Sequence, residues 1–452
     1  MNNSSKEEGN INMNKKGMSQ RQLNRLEKLA AKNRTEALEV LGTLYEVGME
    51  LEDGTVIKPN NKKALDLYMR AAENGCINSI HRLGEFYLNG LYVEQDYDKA
   101  FRYFKKGVKK NNKFSMYEVG NCYRYGRGTQ VDNKRAVYWY RKAVQADDKY
   151  LDPMLALGDY YLTNIEEERN EQKAFYWIKK AADLNDAFAQ CTLGVLYTKG
   201  IGAKASFEKA AFYLAKAAKQ GHMGAEFVLG TLYEDGNGVP QDWNRAFKLY
   251  KSASSKGEPT AKFRLAVLYL NGKGTPRKPK EAFELAKELA LKDNAEAQNL
   301  LGFLYARGDG TKQSYDRAVY WFKQAVNQNH NQAQFNLARM YEKGYGVKQD
   351  LFAAYELYEK SALNGNVEAQ YRVAIYLIEE ELIGHQDMKL GLNYLKKAAK
   401  DGFQPAIEYL GRCYESGTGV QLDISRALRL YQEATKQRAY VIKITEENDD
   451  EM

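Results

Sequence analysis

A leucine or valine followed by glycine or alanine returns at a near-constant step along this chain. That step limits what the chain can fold into. The pairs are Leu41-Gly42, Leu83-Gly84, Val119-Gly120, Leu157-Gly158, Leu193-Gly194, Leu229-Gly230, Leu265-Ala266, Leu301-Gly302, Leu337-Ala338, Val373-Ala374 and Leu410-Gly411. From Leu157 to Val373 the step is 36 residues every time, and the others are 42, 36, 38 and 37. Self-similarity at such a period marks an architecture in which one small unit is stacked many times. The longer steps place small insertions in the first, third and tenth units.

Other columns keep the same phase. Three residues after the small residue stands Tyr45, Tyr87, Tyr123, Tyr161, Tyr197, Tyr233, Tyr269, Tyr305, Tyr341, then Leu377, then Tyr414. A later column reads Ala64, Ala100, Ala136, Ala174, Ala210, Ala246, Ala282, Ala318, Ala354, Gly391 and Ala427. Four residues before each of these comes Asn60, Asp96, Asp132, Asn170, Ser206, Asp242, Lys278, Ser314, Asp350, Asp387 or Asp423. All but Lys278 are good helix N-caps, because a side-chain oxygen there accepts from an orphan backbone N–H. Lys278 is followed by Pro279, which suits the first helical position.

Each unit therefore reads as helix, turn, helix. In the sixth, a helix is expected from Met223 to Glu234, with Ala225, Leu229 and Tyr233 on one stripe. Gly230 beside that stripe lets another helix approach closely. The second helix starts after Asp242 and carries Ala246, Leu249, Tyr250 and Ala253. A lone pair cannot bury such stripes, so neighbours must stack. The expected fold is all-α, a right-handed α/α solenoid of about eleven 36-residue helix-turn-helix repeats over residues 35–438.

A Gly-x-Gly after an apolar stretch can mean a phosphate-binding loop. Here it occurs at Gly126/Gly128, Gly200/Gly202, Gly236/Gly238, Gly272/Gly274, Gly308/Gly310, Gly344/Gly346 and Gly417/Gly419. Each pair follows a helix, whereas a dinucleotide loop follows a strand. A glycine just past a helix end adopts the left-handed conformation that closes it.

These columns resemble the Sel-one-like repeat, a relative of the tetratricopeptide repeat. The sixth unit carries its pattern at Ala225, Leu229, Gly230, Tyr233, Gly236, Gly238, Val239, Asp242, Arg245, Ala246, Tyr250 and Ala253. The resemblance implies a fold and, more loosely, an adaptor that holds partner proteins together. Members linked to endoplasmic-reticulum degradation need a signal peptide and an anchor, and neither is found here. A cysteine-rich bacterial branch carries a disulfide in each repeat, but this chain has four scattered cysteines, so that branch's penicillin binding is not carried over.

Catalytic and metal-binding patterns are lacking. His81, His222, His330 and His385 form no HExxH and stand at no metal-ligand spacing from a cysteine. Cys76, Cys122, Cys191 and Cys413 form no CxxC, and reduced thiols are expected. Cys122 and Cys413 share a column beside the tyrosine, where a thiol acts as a small apolar filler. No cofactor is expected. The charge balance of 67 basic and 59 acidic residues is mild for 452 residues, which disfavours a nucleic-acid partner. No apolar run is long enough to span a membrane, and the polar start MNNSSKEEGN lacks a signal-peptide core. A cytoplasmic location is expected, with export by a non-classical route left open.

In tetratricopeptide arrays, which the family resembles, ligands lie in a concave groove lined by first helices. The column of Phe227 includes Tyr117, Phe263, Phe335 and Tyr371, off the core stripe, with charged residues towards the chain ends. Aromatic rings along a groove supply anchor energy for a peptide or helix. The strip Tyr117, Phe227, Phe263, Phe335 and Tyr371 is therefore a candidate partner-binding site, and packing between neighbouring first helices is the competing reading. Arg124, Arg339 and Arg412 are candidates for acidic groups of the partner. Tyr138/Trp139, Tyr176/Trp177 and Tyr320/Trp321 recur in second helices and read as inter-helix packing, with a wet tyrosine edge presented to a partner as the alternative.

At the ends, residues 1–17 read as a disordered tail and 18–34 as a capping helix using Leu23 and Leu26. Residues 439–452 read as a C-terminal cap and acidic tail, with the apolar stretch 438–444 covering the last repeat. The expected function is a non-enzymatic scaffold that binds another protein in its groove. The alternatives are an effector or host-interaction protein on the same scaffold, or an enzyme whose site is assembled across repeats.

Overall fold

The computed structural model describes residues 18–163, 170–379 and 387–449, with side chains as far as 436. The expected tail over 1–17, His385, and the side chains of 438–444 lie outside this range. The described residues fall into two units, one up to His222 and one from Met223.

In the first unit, α1 (Gln20–Ala31) precedes five helix pairs. These are α2 (Thr35–Val47) with α3 (Asn61–Glu73), and α4 (Ile77–Asn89) with α5 (Tyr97–Lys109). Then come α6 (Lys113–Tyr125) with α7 (Asn133–Ala146), and α8 (Leu151–Thr163) with α9 (Glu171–Asp183). The last is α10 (Ala187–Lys199) with α11 (Phe207–Lys219). The second unit begins with α12 (Met223–Asp235) and α13 (Trp243–Ser255), then α14 (Pro259–Asn271) and α15 (Pro279–Ala290). Next are α16 (Ala295–Arg307) with α17 (Tyr315–Asn327), and α18 (Asn331–Lys343) with α19 (Leu351–Leu363). Finally come α20 (Val367–Ile378) with α21 (Met388–Lys400), and α22 (Gln404–Ser416) with α23 (Ile424–Asp449). Even-numbered helices from α2 are first helices and odd-numbered ones are second helices. The fold is an α/α solenoid of eleven repeats.

The six-residue excess of the first repeat over the 36-residue step is a short hairpin, β1 (Met49–Glu50) antiparallel to β2 (Val56–Ile57), with Met49 opposite Ile57.

The repeat columns account for the helix boundaries. Ten second helices have an N-cap side chain accepting from the third residue on, as Asp96 does from the Lys99 amide at 2.8 Å and Asp423 from that of Arg426 at 2.9 Å. The helix at Lys278 has no such bond and starts on Pro279 instead. The tyrosine column closes the same turn from the other side. The Tyr233 carbonyl accepts from the Asp242 amide at 2.9 Å, and the pairs Tyr87/Asp96, Tyr123/Asp132 and Tyr305/Ser314 repeat it. Above those rings sit the basic residues that precede the alanine column, such as Arg135 over Tyr123 at 5.4 Å and Arg245 over Tyr233 at 5.3 Å.

The two glycines of each turn do different work. The first closes the helix in the left-handed region, as Gly126 does at φ 68°. The second lies against the preceding repeat: a Cβ at Gly128 would collide with the Tyr97 carbonyl at the start of α5. The glycine of the leucine–glycine pair acts within its own repeat. A Cβ at Gly230 would stand 2.6 Å from Tyr250, so the backbone of α12 rests on that ring. Gly120 and Gly302 meet Tyr140 and Phe322 in the same way.

Candidate functional site

The ring column and the arginines sort into three groups. In the first unit, Tyr117 is half-buried on α6, with its ring 5.8 Å from Tyr140 and 5.7 Å from Tyr150. Burial raises the Tyr117 phenol above its ordinary pKa, so it stays protonated. Arg124 turns along the array: it donates to the Ala156 carbonyl at 3.2 Å and to Asp159 at 2.5 Å, both on α8.

The second group gathers around α14, α16 and α18. Phe263, Phe335 and Arg339 line one cleft of about 340 Å³ together with Glu296, Asn299, Leu300, Phe303, His330, Gln332, Asn336 and Glu368. Its floor is apolar, from Phe263, Leu300 and Phe303, which pack on the core of these repeats while keeping an exposed part. Phe335 contributes only an edge. It is 4% exposed and packs 5.5 Å from Tyr358. Arg339 is exposed, and Glu296 and Glu368 place carboxylates on the walls. Asn336 donates to Asn299 at 2.9 Å, which leaves further amide donor and acceptor capacity for a ligand. His330 caps α18, its Nδ1 accepting from the Ala333 amide at 3.1 Å, and burial lowers its pKa.

Phe227 stands apart from this cleft, half-buried and 5.9 Å from Tyr250. The third group is Tyr371, between Phe403 at 5.4 Å and Tyr409 at 6.3 Å, with Arg412 over Tyr409 at 5.1 Å. Glu226, beside Phe227 in sequence, is buried and pairs with Lys256 at 2.6 Å and Ser252 at 2.9 Å.

Two sets of residues were not foreseen from sequence. Phe303 lines the cleft and stands in the same column as Arg339 and Arg412, directly after the small residue, so reading that column as a whole would have found it. The other set is a polar lock repeated along the array. Glu342 accepts from the Tyr358 hydroxyl at 2.7 Å and pairs with Arg372 of the next first helix at 3.4 Å. Glu234 does the same with Tyr250 at 2.5 Å and Arg264 at 3.6 Å, and Glu46 with Tyr68 at 2.8 Å and Arg82. Arg124 occupies the column of these glutamates, which explains why it too reaches along the array.

The first unit has its own recess of about 580 Å³ at the inter-repeat turns, lined by Glu39, Cys76, Asn78, Lys110, Asn112, Lys113 and Phe114 among others. Much of its polar lining is engaged internally: Asn78 donates to Glu39 at 2.7 Å, and Lys113 pairs with Asp147. All four cysteines are buried and free. Burial pushes the Cys122 thiol up to about 12 and that of Cys191 to about 11, which keeps them protonated and unreactive. Among the described residues no group of histidine, cysteine and carboxylate side chains could hold a metal ion, and no helix is long and apolar enough to cross a membrane.

The family model described as Sel1 repeat matches eleven consecutive segments, from 43–76 through 404–438. Among solved structures, the chain is similar to c5321, described as a protective antigen present in uropathogenic Escherichia coli strains and displaying an SLR fold. The identity is 27%, with 93% of this chain and 90% of that one covered and a TM-score of 0.81. A Sel1 repeat protein from Oxalobacter formigenes is also 27% identical, covering 70% of this chain and 90% of its own, with a TM-score of 0.53. No curated protein matches the sequence.

Proposed function

The chain belongs to the Sel1 repeat family, and from that premise we propose that it is a non-enzymatic cytoplasmic scaffold holding a partner protein by a peptide or helix laid against its first helices. The observation that carries this reading is the cleft over α14, α16 and α18. It joins an apolar floor to polar walls, with Phe263, Leu300 and Phe303 below and Asn299, Asn336, Arg339 and Glu368 around. An apolar anchor side chain fits such a floor, while the amides and charges fix the direction of the bound segment. Tyr371 with Arg412, and Phe227, offer secondary contacts beyond the cleft.

The test is affinity capture by the full chain, followed by mass spectrometry, against a variant carrying Phe263→Ser, Phe303→Ser and Arg339→Glu. Phe335 is left intact because it is part of the core. Partners captured by the parent and lost by a folded variant support the reading. Retention of every partner by the variant overturns the cleft as the site.

A second reading has one observation behind it, the likeness over nine-tenths of both chains to the protein described as a protective antigen. In that case the same face would meet a host protein, and appearance of the chain in the medium of intact producing cells would support it.

A further inference from the structure

The mild net charge of the whole chain conceals a steep local asymmetry. The second helices α5, α7, α9 and α11 carry fifteen basic and four acidic side chains. The first helices they pair with, α4, α6, α8 and α10, carry four of each. These four second helices thus hold a cationic excess of eleven, larger than that of the entire chain.

Aromatic rings are interleaved with these charges. Tyr138, Tyr176 and Phe212 occupy one column of three successive second helices and are 52%, 52% and 55% exposed. Each has a lysine one helical turn on: Lys142 over Tyr138 at 5.8 Å, Lys180 over Tyr176 at 5.5 Å and Lys216 over Phe212 at 4.5 Å. Each ring also meets its neighbour edge to face, against Trp139, Trp177 and Tyr213 at 5.1, 5.0 and 5.2 Å. Of the two outcomes open for the Tyr–Trp pairs, packing or a wet edge, the first ring of each pair takes the second and is more than half in solvent.

We propose that this second-helix face of the first unit docks peripherally on an anionic phospholipid surface. The patch is a sheet of charge. Each helix is about 20 Å long, with neighbours about 10 Å apart, and in α5, α9 and α11 basic residues run from the first turn to the last, while those of α7 stop at Lys142. The recess of this unit lies elsewhere, at the inter-repeat turns. A bilayer surface is equally two-dimensional. It attracts each lysine or arginine near its headgroups, while aromatic rings settle at the boundary and lysine stems lie along them with the ammonium in water. A single nucleic-acid strand asks for a basic groove and for open ring faces on which bases stack. Here a lysine already lies over each ring.

The experiment is co-sedimentation of the full chain with vesicles of phosphatidylcholine, with and without about one-third phosphatidylserine, at about 0.15 M and about 0.5 M salt. Binding is expected only with phosphatidylserine and is lost at the higher salt. Lys142→Glu, Lys180→Glu and Lys216→Glu together should weaken it by about a hundredfold or more. Tyr138→Ser, Tyr176→Ser and Phe212→Ser together should weaken it by about tenfold. Tyr320→Ser, the same column in the second unit, should change nothing. Acetylation footprinting of the unmodified chain gives a readout independent of any variant, with vesicles shielding Lys142, Lys180 and Lys216. No binding to phosphatidylserine, equal binding to both vesicles, or an unchanged footprint would overturn the proposal. So would a single-stranded oligonucleotide that binds the same lysines more tightly than vesicles do.

Discussion

The two units are built on one template and have spent its free positions differently. Their cores use the same columns: Tyr140 under Gly120 in the first unit, Tyr250 under Gly230 in the second, both rings fully buried. Outside the core they diverge. The second helices of the first unit carry the cations and exposed rings, whereas α13, α15, α17 and α19 of the second carry eight basic and six acidic residues. Within the second unit α13, with three basic and no acidic residues, and α21, with four lysines and no acidic residue, come nearest to the first pattern. The second unit instead opens an apolar cleft on its first helices. A repeat fixes about a dozen positions per unit and leaves the rest open, so neighbouring stretches of one array can present different chemistry.

The strongest way to break this comparison is to strike the shared core in each unit. Gly120→Val puts a branched side chain where a single Cβ already stands 2.6 Å from Tyr140, and Gly302→Val does so against Phe322 at 2.7 Å. Each is expected to cost about 3 kcal/mol, the upper end for overpacking. Hydrogen exchange should show the lost protection confined to the unit that carries the substitution. If one unit tolerates the valine and the other does not, the cores are not equivalent.

A smaller effect tests the polar lock. Glu342→Leu leaves the buried Tyr358 hydroxyl without its acceptor and Arg372 without its partner, a loss of about 1–3 kcal/mol in urea unfolding. Adding Tyr358→Leu should restore most of it, because two repeats already carry apolar residues in both columns: Ile178 and Leu395 in that of Tyr358, Leu162 and Ile378 in that of Glu342. Glu46→Leu makes the same test in the first unit, where Tyr68 and Arg82 are the partners. Failure of the double variant to recover would mean that the lock does more than satisfy its own buried groups.

Most of the fold was legible in the sequence, and the reasons are local. Asp96, Asp132 and Asp242 are N-caps because capping chemistry lies within three residues of the helix start. The first glycine of each turn is likewise a matter of its own φ. What escaped depends on neighbours. Gly128 is needed by the Tyr97 carbonyl of the preceding repeat, thirty-one residues away. Phe335 shares a column with Phe263 yet is buried, because Tyr358 and Tyr376 close over it in the same core. Glu226 is a charged side chain beside Phe227 yet is buried, because Lys256, thirty residues on, pairs with it. The cationic face was hidden for a different reason, since net charge averages over both helix layers.

The smallest expected effect separates the units by pH. First helices α6 and α10 start on Asn112 and Asp186, which cap through side-chain oxygens, whereas α18 starts on His330 and caps through a ring nitrogen. The His330 ring accepts from the Ala333 amide through Nδ1, which requires the neutral form, and burial lowers its pKa below the ordinary 6.5. A lowered folded-state value means that the unfolded chain takes up the proton first as pH falls. The stabilisation is therefore complete above about pH 6.5 and shrinks below it. The loss should be about 1 kcal/mol or less, the scale of one N-cap, and visible as faster amide exchange at Ala333 at about pH 5.5 than intrinsic rates explain. His330→Asn keeps an acceptor and should abolish the pH dependence while preserving protection. His81 complicates a whole-chain measurement, because burial lowers its pKa as well, with Glu85 opposing and Arg82 adding. It belongs to the first unit, however, and faces Ser115 at 3.3 Å and Glu85 at 3.6 Å. A pH response at Ala333 that survives His330→Asn would therefore place its origin outside the cap.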